Sequence, residues 1–118
     1  MLQTLFSISA VQAIDDNYIV RLCPKLDSII YKAHFPGAPI TPGACLVMAV
    51  GELIEYVSGR KVLLKNLKNV KFLSMVVPDV DSEILFDIHV DWLTGKTRVE
   101  VVSSGIIRAK MSMTYAEV

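Results

Sequence analysis

Between Pro42 and Gly59 the chain reads Gly43-Ala44-Cys45-Leu46-Val47-Met48-Ala49-Val50-Gly51-Glu52-Leu53-Ile54-Glu55-Tyr56-Val57-Ser58, with apolar side chains at nearly every helical angle. A helix lying on a surface shows one apolar stripe, whereas a helix that is apolar all round has to be enclosed. Its ends are marked by Thr41 as N-cap, Pro42 in the first turn and Gly59 as a left-handed C-cap, although Ala44 stands where a capping box would need Glu or Gln. The pattern predicts one core helix, and the remaining segments have to wrap it.

Those remaining segments read as strands. Residues 5 to 14 alternate in part, with Phe6, Ile8 and Ala10 opposed to Ser7, Ser9 and Val11, which predicts a strand buried on one face. Asp15-Asp16-Asn17 is a turn, and Tyr18 to Leu22 is a second strand stopped by Cys23-Pro24. Ser28 to Lys32 reads as a short extended run leading to His34. After the helix come strands from Val62 to Val77, Glu83 to Trp92, Thr97 to Ser103 and Ile106 to Tyr115. In the second of these lengths Ile84, Phe86, Ile88, Val90 and Trp92 alternate with Leu85, Asp87, His89 and Asp91, and in the last Ile107, Ala109, Met111 and Met113 alternate with polar positions, leaving one wet face. The short links Thr94-Gly95-Lys96 and Ser103-Ser104-Gly105 predict an antiparallel meander. The expected class is α+β, a curved antiparallel sheet around one central helix, in a single domain over residues 1–118.

Composition narrows the function. Twelve basic and twelve acidic side chains cancel, so no overall field would gather nucleic acid or an anionic membrane. Hydrophobic residues make up 53% of the chain, an apolar share large enough to predict that some surface lies against another subunit. Cys23 and Cys45 form neither a disulfide framework nor a metal-ligand spacing, which fits a reducing cytoplasm. The N-terminal run lacks a basic start and is interrupted by Gln3, Thr4 and Ser7, so no signal peptide is expected. No uncharged apolar run is long enough for a membrane span, since the helix carries Glu52 and Glu55.

His34-Phe35-Pro36-Gly37, Pro39-Ile40 and Pro42-Gly43 stand immediately before the helix. This block resembles the signature of the hotdog-fold (3R)-hydroxyacyl-acyl-carrier-protein dehydratases, and Lys71 to Asp79 resembles that family's later strand ending in a proline turn. The resemblance implies a hotdog fold, a lyase of fatty-acid or lipid biosynthesis, and a 3-hydroxyacyl thioester substrate carried by acyl carrier protein or coenzyme A. It also implies a homodimer or higher homo-oligomer with the site at the subunit interface, and neither metal nor organic cofactor.

The chemistry of the residues agrees with that implication. Dehydration removes a proton next to a thioester carbonyl and expels a β-hydroxyl, and a histidine such as His34 can take the proton near neutral pH. The enolate oxygen that develops needs donors, which the N-terminal amides of a helix supply; Gly43 would offer one without crowding the thioester. Pro36, Pro39 and Pro42 would stiffen the loop. His34 and Gly43 are therefore the candidate catalytic residues, and Phe35, Pro42, Met48 and Glu52 the candidate substrate-binding ones.

In the family, a carboxylate from the partner subunit stands fourteen residues after the histidine; here that position is Met48. Methionine cannot protonate the leaving hydroxyl, and Glu52 lies about 6 Å farther along the helix axis. Two alternatives follow: a non-catalytic acyl-thioester binding subunit, or a hotdog thioesterase. Smaller features have ordinary readings. Cys45 reads as packing, Glu55 as a polar helix end, and Asp87, His89 and Asp91 as an exposed sheet face. The basic run Arg60, Lys61, Lys65, Lys68 and Lys71 is a candidate docking face for an acidic carrier protein.

Overall fold

The computed structural model describes residues 5–33, 40–78 and 83–118. Six strands, β1 (Phe6–Ile14), β2 (Asn17–Pro24), β3 (Val62–Phe72), β4 (Ile84–Val90), β5 (Lys96–Ser103) and β6 (Ile106–Glu117), form one antiparallel sheet in the order β1-β2-β4-β5-β6-β3. Helices α1 (Ile29–Ala33) and α2 (Gly43–Ser58) accompany it. The expected meander is β4-β5-β6, and β3, which follows α2 in sequence, crosses to pair with the far side of β6.

Alternation places the core. Ile84, Phe86, Ile88 and Val90 of β4, Val99 and Val101 of β5, and Ala109, Met111, Met113 and Tyr115 of β6 are buried on one sheet face. They join Cys45, Leu46, Ala49, Val50, Leu53 and Ile54 of α2 in a single apolar cluster. Each large side chain fully buried there contributes about 1.5–3 kcal/mol of transfer free energy, so this interface is the main source of stability.

The helix departs from the enclosed state that its composition predicts. Its sheet-facing side is buried, but Met48 and Tyr56 are 53% and 64% exposed, because one sheet covers only one side of a cylinder. The apolar residues on the uncovered side are thus surplus to what one chain can bury. Gly59 does close the helix as expected, at φ 73, with its N–H donated to the Glu55 carbonyl at 3.0 Å. At the other end Pro42, in an extended conformation, is the N-cap with no side-chain cap bond, and Thr41 is engaged elsewhere.

Three strand boundaries also differ from the sequence reading. Ser28 to Lys32 is not extended: the Ile30 N–H donates to Ser28 Oγ and the Lys32 N–H to the Ser28 carbonyl, which starts α1. Among the described residues no strand pairs with it to satisfy an extended backbone, and its amides bond within the segment despite its two isoleucines. β2 continues to Pro24, paired with Phe6 at the strand end where a missing donor costs little. β3 stops at Phe72 because the amides of Leu73 and Ser74 both turn to the Arg108 carbonyl, and Val76 then forms an isolated bridge with Thr41.

In β1 a register shift between Ile8 and Ala10 breaks the period-two pattern, with Ser9 Oγ donating to the Arg21 carbonyl at 3.1 Å. Beyond this bulge Val11 and Ile14 face solvent, so the one-sided burial expected for the strand holds only at its start.

Candidate active site at the entrance to the central helix

The site is built from the N-terminal turn of α2 upward. The amides of Cys45 and Leu46 both donate to the Pro42 carbonyl, at 3.0 and 3.3 Å. The two preceding amides, of Gly43 and Ala44, have no acceptor within the helix, as at any helix start, and they carry the positive end of its dipole. Over Gly43 lies the ring of Phe72, the last residue of β3: a Cβ at position 43 would sit 2.6 Å from Phe72 Cζ. Glycine is favoured here by this close approach of an aromatic ring, which a Cβ would displace, and not by an unusual φ. Phe72 is itself half exposed, so it forms a rim and not part of the core.

Below the helix start is a buried polar pair. The hydroxyls of Tyr31 and Thr41 are 2.9 Å apart, and the Thr41 N–H donates to the Val76 carbonyl at 2.8 Å. Burial raises the Tyr31 phenol above its usual range, opposed by the bond to Thr41. Burial likewise raises the Cys45 thiol, which is therefore a packing residue and not a thiolate nucleophile.

Of the candidates read from the sequence, His34 and Phe35 lie outside the described residues, as do Pro36, Gly37, Pro39 and Asp79. Pro42 and Gly43 stand at the helix entrance. Met48 is on the open side of α2, and Glu52, half buried, follows one turn later. Glu55 does more than end the helix in water: its Oε2 accepts the Val62 N–H at 2.9 Å and so fastens the end of α2 to the start of β3. His89 is exposed, paired across strands with Arg98, on the outer face of the sheet. A groove of about 470 Å³ on that face is lined by Asn17, Asp87, His89, Arg98, Lys110 and Ser112 among others, none of them from the helix entrance. Sequence reading passed over Phe72 and Tyr31 as site residues and took Thr41 for the helix cap, because the Phe72–Gly43 contact and the Tyr31–Thr41 bond are tertiary; only the placing of Phe72 in the stretch from Lys71 to Asp79 hinted at the first.

A single antiparallel sheet curled on one long helix defines the hotdog fold class. Within that class the chain belongs to the ApeI-like family, described as ApeI dehydratase, whose model matches residues 10–114. A 3-hydroxyacyl-[acyl-carrier-protein] dehydratase FabZ from Clostridium acetobutylicum is 38% identical over 56 residues, which cover 42% of this chain and 40% of the relative. The chain thus spans less than half of that curated relative. In fold it is similar to the dehydratase heterocomplex ApeI:P from Xenorhabdus doucetiae, with a TM-score of 0.82 and 14% identity over 94% of this chain and 97% of the other. The dehydratase domain from the CurK module of curacin polyketide synthase gives a TM-score of 0.60 at 16% identity, over 98% of this chain and 44% of that one.

Proposed function

We propose that the chain dehydrates a 3-hydroxyacyl thioester delivered on an acyl carrier protein. The observation that carries this reading is the helix entrance of a chain in a dehydratase family: an amide-bearing glycine pressed against Phe72, preceded in sequence by His34. His34 removes the proton next to the thioester carbonyl, and the carbonyl oxygen takes up negative charge facing the Gly43 amide. The C–O bond to the β-hydroxyl then breaks, and the hydroxide leaves as water once it gains a proton, giving a 2-enoyl thioester. No metal or organic cofactor is needed for this sequence.

The source of the second proton is the distinctive point. In CurK dehydratase a histidine-to-phenylalanine substitution and an aspartate-to-asparagine substitution are each described as an inactive mutant. Here Met48 takes the place where the family resemblance puts a carboxylate. Two routes remain: the His34 imidazolium returns its own proton to the hydroxyl, or a second chain brings the acid. The uncovered apolar side of α2, with Met48 and Tyr56, supports assembly with a second hotdog chain, and the ApeI:P structure is a heterocomplex. A pocket that binds the acyl thioester without turning it over is the second reading, favoured by the same Met48.

The exposed Lys65, Lys68 and Lys71 on β3 suit an acidic carrier, whereas Arg60 is occupied by Glu117 at 3.3 Å and by the Trp92 ring at 4.4 Å. The test is dehydration and hydration of short acyl thioesters on carrier protein and on coenzyme A. Turnover should exceed a His34→Ala control, and Met48→Glu should raise it about tenfold or more, the scale of a positioned acid. Saturable binding without product would transfer the chain to the non-catalytic reading. No binding and no turnover would end both.

A further inference from the structure

Tyr31 and Thr41 present two hydroxyls to one another inside an apolar cluster, at 2% and 4% exposure. Phenylalanine and valine would fill the same space with nothing to desolvate, so the polar pair is not needed for packing. Its position suggests what it is for. Tyr31 sits on α1, a five-residue helix too short to hold itself in place, and precedes His34 by three residues. Thr41 is fixed to Val76 through its amide and precedes Gly43 by two. One directional bond therefore joins the chain entering the 34–39 segment to the chain leaving it, at the point where the α2 amides begin.

We infer that Tyr31 and Thr41 are a positioning pair for the thioester site, their hydrogen bond tying the chain three residues before His34 to the chain two residues before Gly43. This rests on the dehydratase reading for its kinetic consequence, but the tie can be read without turnover. A hydrogen bond sets both distance and direction, while apolar contact allows sliding, and displacement of reacting groups by about 1 Å is enough to cost around a hundredfold in rate. Neither residue touches the reacting atoms in this account.

The variants are Tyr31→Phe, Thr41→Val, the two combined, and Thr41→Ser. Each single apolar change leaves one hydroxyl buried without its partner and lowers the thermal midpoint; the double change removes both hydroxyls and recovers most of it. If the pair positions the site, kcat stays down about tenfold or more in the double variant with KM changed less than about threefold, and Thr41→Ser retains kcat. A double variant with wild-type kcat, or kcat that follows the thermal midpoint through the series, overturns the inference.

The second readout is the His34 ring in ¹H–¹³C NMR spectra, which is assignable because the chain has two histidines and His89→Gln removes the other signal. The double variant should shift or broaden the His34 resonance, and Thr41→Ser should not. A His34 signal superimposable on wild type in the double variant sinks the inference even if no thioester is turned over. Absence of turnover in the wild type, with the ring signal moving as expected, counts against the dehydratase reading alone.

Discussion

Gly43 carries two demands at once. Its amide is at the positive end of α2, and its missing Cβ leaves room for the Phe72 ring. Alanine is the better helix former, by roughly 1 kcal/mol in an interior, so propensity alone would favour Gly43→Ala. The contact opposes this, since the new Cβ would stand 2.6 Å from Cζ and the half-exposed ring would have to swing away. Gly43→Ala is therefore expected to change the thermal midpoint by only a few degrees while displacing the Phe72 ring resonances and lowering thioester turnover about tenfold. An unmoved ring would refute the contact. At the same scale, Met48 places an exposed thioether on the open face of α2.

At the scale of elements, α2 and β3 are joined at both ends, by Phe72 on Gly43 and by the Glu55 carboxylate on the Val62 amide. Tyr115 of β6 packs close to the middle of the helix, where a Cβ on Gly51 would lie 3.4 Å from its hydroxyl. Burial raises the Tyr115 phenol to about 12, with the charge of Glu55 adding to the rise. Its ordinary value is about 10, so between these values the folded state holds a proton that the unfolded state has lost. The contribution is intact below pH 10 and is lost as pH climbs toward 12, on the order of 2–3 kcal/mol in full. The thermal midpoint should fall over that window, with Tyr115 absorbance at 295 nm titrating late. Tyr115→Phe should flatten the fall, and an unchanged alkaline slope in that variant would exclude Tyr115 as its source.

For the whole molecule, the surplus is apolar surface. β3 ends the sheet with Leu63, Leu64 and Leu67 exposed, and α2 leaves Met48 and Tyr56 uncovered. Register shifts on β3 between Leu64 and Asn66 and between Leu67 and Asn69 put Lys65 and Lys68 at the two irregular points. Bulged lysines on an edge strand discourage open-ended ladder growth and restrict pairing to a partner of matching curvature. Leu63→Lys combined with Leu67→Lys should lower the mass measured by sedimentation to that of one chain, with the far-ultraviolet circular dichroism retained. A wild type that is already monomeric would remove this expectation.

The sequence by itself determined the helix limits near Pro42 and Gly59, the β4-β5-β6 meander and its buried face, and the dehydratase class. These are local matters: punctuation by proline and glycine, period-two alternation, and a block of residues contiguous in the chain. Only the tertiary structure decided that Ser28 to Lys32 is helical, that Thr41 bonds Tyr31 instead of capping α2, and that Phe72 closes over Gly43. Each depends on which distant segment arrives alongside, as Val76 does at Thr41, and no spacing within a segment encodes its neighbour. The all-round apolar helix combined both kinds of information. Its composition required a cover on every side, and the fold showed that one chain provides the cover on one side only, because a sheet of six strands ends before it can close around the cylinder.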